Sequence, residues 1–96
     1  MTTQEAVLKH REEILRIAAR HGATNVRVFG SVARGTAGPE SDLDLLVDAG
    51  DDTSPWFPAG LMIDLEDLLG VKVDVATEPT LHWVIRDRVL AEARPL

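Results

Sequence analysis

The chain has 96 residues, with sixteen acidic and ten basic side chains, a net charge of −6, 45% hydrophobic residues and no cysteine. That length supports one hydrophobic core, so residues 1–96 are expected to form a single domain, and so apolar a composition excludes a disordered chain. Lack of cysteine excludes disulfides, thiolate metal sites and a cysteine nucleophile; the acidic excess disfavours coating of a nucleic-acid backbone; and no apolar run reaches the roughly 18–20 residues of a membrane span.

The N-terminal residues Met1 to Glu5 show neither the basic start nor the apolar stretch of a signal peptide, which points to the cytoplasm. Thr2-Thr-Gln-Glu5 matches a capping box, and Leu8, Ile14, Leu15, Ile17 and Ala18 continue as one apolar stripe at helical spacing until Gly22. One long amphipathic helix is therefore predicted. Val26 to Phe29 alternates as a strand and breaks at Gly30-Ser31; one helical turn and a loop fill residues 32–41. Asp42 to Val47 reads as a second strand, and Pro58 to Leu69 as a helix that Gly70 caps. Val71 to Val75 is a third strand, and Thr80 caps a last helix over Leu81 to Ala93, which Pro95 ends. The expected fold class is α/β (α+β): a small mixed sheet of about three strands flanked by helices.

The chemistry concentrates in a few residues. Alternation along a strand puts Asp42 and Asp44 on one face, with Cα atoms roughly 6.5–7 Å apart, and Leu43, Leu45 and Val47 on the other. Two carboxylates side by side repel unless hydrated, protonated or bound to a cation. They either decorate a solvated sheet face or bridge a pair of magnesium ions about 3.5–4 Å apart, able to clamp a phosphoryl group. Asp is depleted in strands, yet Asp74 stands in the third one. If that strand lies beside the second, three carboxylates converge; otherwise Asp74 pairs with Lys72 or an arginine at the surface. Gly30 at a strand exit lets backbone approach a ligand, and the amides that follow, with the Ser31 hydroxyl, can face an anion; the same dipeptide also makes a plain turn.

Gly30-Ser31, ten intervening residues, then Asp42-Leu-Asp44, with Asp74 on a later strand, resembles the nucleotidyltransferase superfamily that includes DNA polymerase β. The string from Phe29 to Val47 is similar to the minimal nucleotidyltransferases, small prokaryotic proteins commonly paired with a helical toxin of the HEPN type. The resemblance runs from about residue 5 to residue 90 and implies a nucleotidyltransferase fold. It implies that Gly30 and Ser31 hold the β- and γ-phosphates of a nucleoside triphosphate, with ATP the one expected. It implies that Asp42 and Asp44 bind two Mg2+ ions, and that Asp74 completes the second metal site and helps to activate the acceptor hydroxyl. Arg34 also matches the family string, as a phosphate contact or as a brace for the loop. Ser41 is expected to hydrogen-bond the loop backbone, and Asp48 to end the strand in solvent.

The function implied is Mg-dependent transfer of AMP from ATP to a hydroxyl, a tyrosine on a HEPN-type toxin, with the toxin as partner in a hetero-complex. The alternative is a binding module that neutralises its partner by direct contact, its site idle. His10, His21 and His82 lack metal-ligand spacing, and Trp56, Phe57 and Trp83 are read as core or partner contacts rather than base-stacking groups.

Overall fold

A computed structural model describes residues 1–96. Its elements in chain order are α1 (Thr3–Lys9), α2 (Arg11–Arg20), β1 (Ala23–Phe29), α3 (Ser31–Arg34), β2 (Leu43–Ala49), α4 (Ala59–Leu69), β3 (Val73–Ala76), a 3-10 turn (Glu78–Thr80), α5 (Trp83–Glu92) and β4 (Arg94–Pro95). The sheet order is β3-β2-β1-β4. β1 runs antiparallel to both β2 and β4, whereas β2 and β3 are parallel and joined through α4.

The predicted capping box is present: the Glu5 amide donates to Thr2 Oγ1 at 3.1 Å and the Thr2 amide to Glu5 Oε1 at 3.0 Å. Beyond it the single predicted helix divides. His10 at φ −104°, ψ 18° separates α1 from α2, and the change of direction turns Val7 into the core while Leu8 stays exposed. A continuous 3.6-residue stripe assumes a straight helix; a break resets which side faces inward. The other helix ends follow their local chemistry. Gly70 takes the left-handed conformation after α4, with Pro58 just before its first residue.

Each strand differs from its expected bounds by a few residues: β1 begins at Ala23, β2 at Leu43 and β3 at Val73. The last helix also starts later. Thr80 bonds back to Thr77 within the 3-10 turn, and the His82 ring caps α5 by accepting from the Val84 amide at 3.2 Å. The sheet has four strands rather than three, because Arg94 and Pro95 pair with Val28 and Arg27. A proline suits that edge position, where its missing N–H costs no ladder bond.

Two apolar layers sandwich the sheet. The larger gathers Val7, Ile14, Ile17 and Ala18 from α1 and α2 and Leu61 and Leu65 from α4 against Val28, Leu43, Leu45, Val47 and Val73. Leu43, Leu45 and Val47 are fully buried, as the alternation requires. The smaller layer lies on the opposite face, where Leu46 meets Leu81 and Val89, with Phe29, Ala76, Ile85 and Ala93 around them. Strand β2 is thus covered on both sides at its centre, and α5 shares its face with the carboxylates of β2 and β3.

A candidate nucleotide and metal site at the sheet edge of α5

Register brings the acids together. Asp44 pairs with Asp74 across the parallel β2–β3 ladder, and Phe29 of β1 lies opposite Asp44 on the other side. Residues in register point to the same face, so Phe29, Asp44 and Asp74 form one row across three strands. Asp42 lies just before β2, exposed, while Asp44 and Asp74 are half-buried. The start of β2 is tied to β3 by the Leu43 amide donating to the Lys72 carbonyl at 2.9 Å. Asp74 also stands 4.0 Å from the exposed Lys72, a weak ion pair that leaves the carboxylate available.

Gly30 is the hinge of the site. Its backbone takes φ +72°, and a Cβ there would run into the Asp44 carboxylate, so only glycine lets the strand exit pack against that acid. The chain then enters the short α3, with the Arg34 amide bonded to the Gly30 carbonyl at 3.1 Å. The segment from Gly35 to Asp42 is held from α1: Thr3, 2% exposed, donates from its hydroxyl to the Ser41 carbonyl at 2.7 Å and from its amide to the Gly38 carbonyl at 3.1 Å. Ser41 Oγ accepts the Gly38 amide at 2.7 Å, as its place in the loop suggests. Asp48 pairs with Arg27 at 3.0 Å at the solvated end of β2.

A fourth carboxylate was not legible in the sequence. Glu92, the last residue of α5, accepts the Gly30 amide at 2.8 Å and the Arg34 guanidinium at 2.7 Å. Its carboxyl is held below the ordinary range, first by the hydrogen bond from Arg34 and then by that from Gly30. Asp44 goes the other way: burial pushes its carboxyl up, and the charges of Asp74 and Asp42 push it further. The helical pattern of α5 marks Glu92 only as polar, and its partner Gly30 lies 62 positions away.

The acids do not close into a ready-made cage, since no three acidic or histidine side chains converge tightly enough to hold one ion. Their donor chemistry nevertheless fits a hard divalent cation: hard carboxylate oxygens, one of them half-buried and crowded by like charge that a cation relieves. Backbone amide, guanidinium and carboxylates within one small area can bind a polyanion through its cation and its phosphate oxygens together.

This geometry has known counterparts. The family model for the nucleotidyltransferase domain matches residues 8–96. The protein adenylyltransferase MntA of Thermococcus cleftensis is 38% identical over 88 residues, which cover 92% of this chain and 87% of that protein. A solved structure of a candidate minimal nucleotidyltransferase is 49% identical, superposes with a TM-score of 0.84, and is matched over 100% of this chain and 97% of that one. A toxin–antitoxin structure solved with AMP-PNP shares the fold, with a TM-score of 0.73 at 22% identity over 88% of this chain and 69% of that one. Sequence match and fold agree over nearly every residue: the chain belongs to the nucleotidyltransferase family, in its minimal branch, and is an enzyme of the adenylyltransferase type.

Proposed function

We propose that residues 1–96 act as one cytoplasmic nucleotidyltransferase domain that moves AMP from ATP onto a tyrosine hydroxyl of a HEPN-type toxin, and so serves as the antitoxin of a pair. The observation that carries the reading is the in-register pairing of Asp44 with Asp74 beside Gly30. Gly30, Ser31 and Arg34 bind the β- and γ-phosphates, donating from backbone amide, hydroxyl and guanidinium. Asp42, Asp44 and Asp74 are the residues that would hold two Mg2+ ions. Magnesium, when bound, would neutralise phosphate charge and lower the barrier to deprotonating the acceptor hydroxyl.

In the reaction the acceptor oxygen forms a bond to the α-phosphorus, and the bond from that phosphorus to the bridging oxygen breaks. Pyrophosphate leaves, and Asp74 assists removal of the hydroxyl proton. Positioning and charge stabilisation supply most of the rate, because the chain need only hold the phosphates and the acceptor in line. A partner protein as acceptor is supported by the outer side of α5, where Trp83, Val84 and Leu90 stay exposed although the inner side is packed. It is supported too by the fold shared with the antitoxin-containing complex.

The test is transfer of label from α-phosphate-labelled ATP to proteins in a lysate of the source cells. It is run with Mg2+, with chelator, and with Asp42→Asn/Asp44→Asn. A Mg-dependent band lost in the double variant is the expected result, its mass identifying the acceptor. A folded double variant that still silences the toxin without labelling it would replace transfer by simple covering.

A further inference from the structure

The dipole of α5 opposes a negative charge at Glu92. The residue sits in the last turn of α5, which contains no basic residue, where the helix's carbonyl end already carries partial negative charge. Asp44 adds like-charge repulsion, since the Glu92 charge is among those that raise its carboxyl. Two donors more than compensate, the Gly30 amide at 2.8 Å on one oxygen and Arg34 at 2.7 Å on the other, with the charge of Arg88 adding to them. Both are donors that the proposed function assigns to the triphosphate. A single N–H gives full strength to one acceptor at a time, so Glu92 and a phosphate oxygen cannot both hold Gly30.

Resting on that ATP-dependent reading, we propose that Glu92 is an internal stand-in for the triphosphate: it occupies Gly30 and Arg34 in the nucleotide-free enzyme and yields them as nucleotide enters, so that it sets nucleotide affinity by competition. The backbone of α5 need not move for this. Immediately beyond Glu92 the chain is pinned to β1, with Arg94 paired to Val28 and the Leu96 amide bonded to the Val26 carbonyl at 3.0 Å. Only the glutamate side chain has to rotate, and Arg34, 53% exposed, can follow the incoming phosphate. The contact keeps both phosphate donors ordered while no nucleotide is bound, at the expense of a weaker apparent affinity.

Calorimetric titration of the full chain with a non-hydrolysable ATP analogue in Mg2+, and separately with AMP, tests this. Glu92→Ala is expected to bind the analogue about three- to tenfold more tightly, the range set by freeing one charged hydrogen bond and one partly exposed ion pair. Glu92→Gln, which keeps an acceptor for Gly30 but loses the charge facing Arg34, should fall between, and decides the matter alone if Glu92→Ala does not fold. AMP, lacking the β- and γ-phosphates, should bind all three chains alike. In the parent the analogue should also shift the Gly30 amide resonance. Weaker or unchanged analogue binding by the variants, an equal gain for AMP, or an unmoved Gly30 amide would overturn the competition while leaving nucleotide binding intact. No analogue binding by any of the three folded chains would overturn it together with the function it rests on.

Discussion

Ionising Asp44 places charge in a half-buried position beside Asp74 and Asp42, and its carboxyl stands above its ordinary value of 3.8 because burial, then those two neighbours, oppose it. Below 3.8 folded and unfolded chains both hold the proton, and the group contributes nothing to stability. As pH rises through the raised native value the folded chain ionises against resistance, and above it the penalty is complete. Asp44→Asn should therefore unfold at a higher temperature than the parent at pH 7 in chelator. The gain should stay below about 1 kcal/mol, because solvent screens a half-exposed group, and should fade as pH falls toward the ordinary carboxyl value. Thermal unfolding across that range checks it; a variant less stable at pH 7 would mean that the cluster is not the electrostatic burden described. Thr3 carries a different load. Its hydroxyl reaches the Ser41 carbonyl at 2.7 Å from a position 2% exposed, and Thr3→Val leaves that oxygen without its donor. A loss of about 1–3 kcal/mol in denaturant melts is expected, with slower nucleotidyl transfer because the same carbonyl precedes Asp42. Full stability with normal transfer would show that the loop holds itself.

Among the elements, β2 is the most consequential, because it is read differently on its two faces. Leu43, Leu45 and Val47 fill the larger layer, while Asp44 and Leu46 share the other face. Leu46 therefore separates the site row from the covered part of the sheet: Val89 of α5 and Leu81, just before that helix, are packed on it, and one pleat away the carboxylate is open. Leu46→Ala should cost about 2–5 kcal/mol by cavity formation. Because only a small cluster holds α5, its amides should exchange with solvent well before those of β2, and hydrogen exchange followed by mass spectrometry reads both. Equal protection of α5 in variant and parent would mean that the helix is held elsewhere, at β4.

Across the whole molecule the parallel β2–β3 pair, the antiparallel β1 and the overlying α5 meet at one corner, and the site groups are drawn from several elements. Gly30 is the exit of β1, Asp44 and Asp74 face each other across a ladder, Arg34 belongs to α3 and Glu92 to α5. No helix is long and apolar enough to cross a membrane. The apolar outer side of α5, with Trp83 79% exposed, lies on the same helix as Glu92.

Local chemistry in the sequence determined much of this. The capping box at Thr2 and Glu5, the left-handed glycine after α4 and the buried side of β2 follow from periods of two and 3.6 residues and from turn chemistry acting over a few positions, whereas the grouping of Gly30, Ser31, Asp42, Asp44 and Asp74 was implied by the family resemblance, and Asp74 meets Asp44 only because β3 lies beside β2. What only the tertiary structure decided are contacts between residues far apart in the chain. Neither the break at His10, which depends on where α1 must lie to reach Gly38 and Ser41, nor the use of Arg94 and Pro95 as a fourth strand has a local signal. Glu92 is the clearest instance: its hydrogen bonds exist only once α5 lies across the sheet, and a glutamate at a helix end looks the same in sequence whether it meets water or a backbone amide and an arginine 62 and 58 positions away.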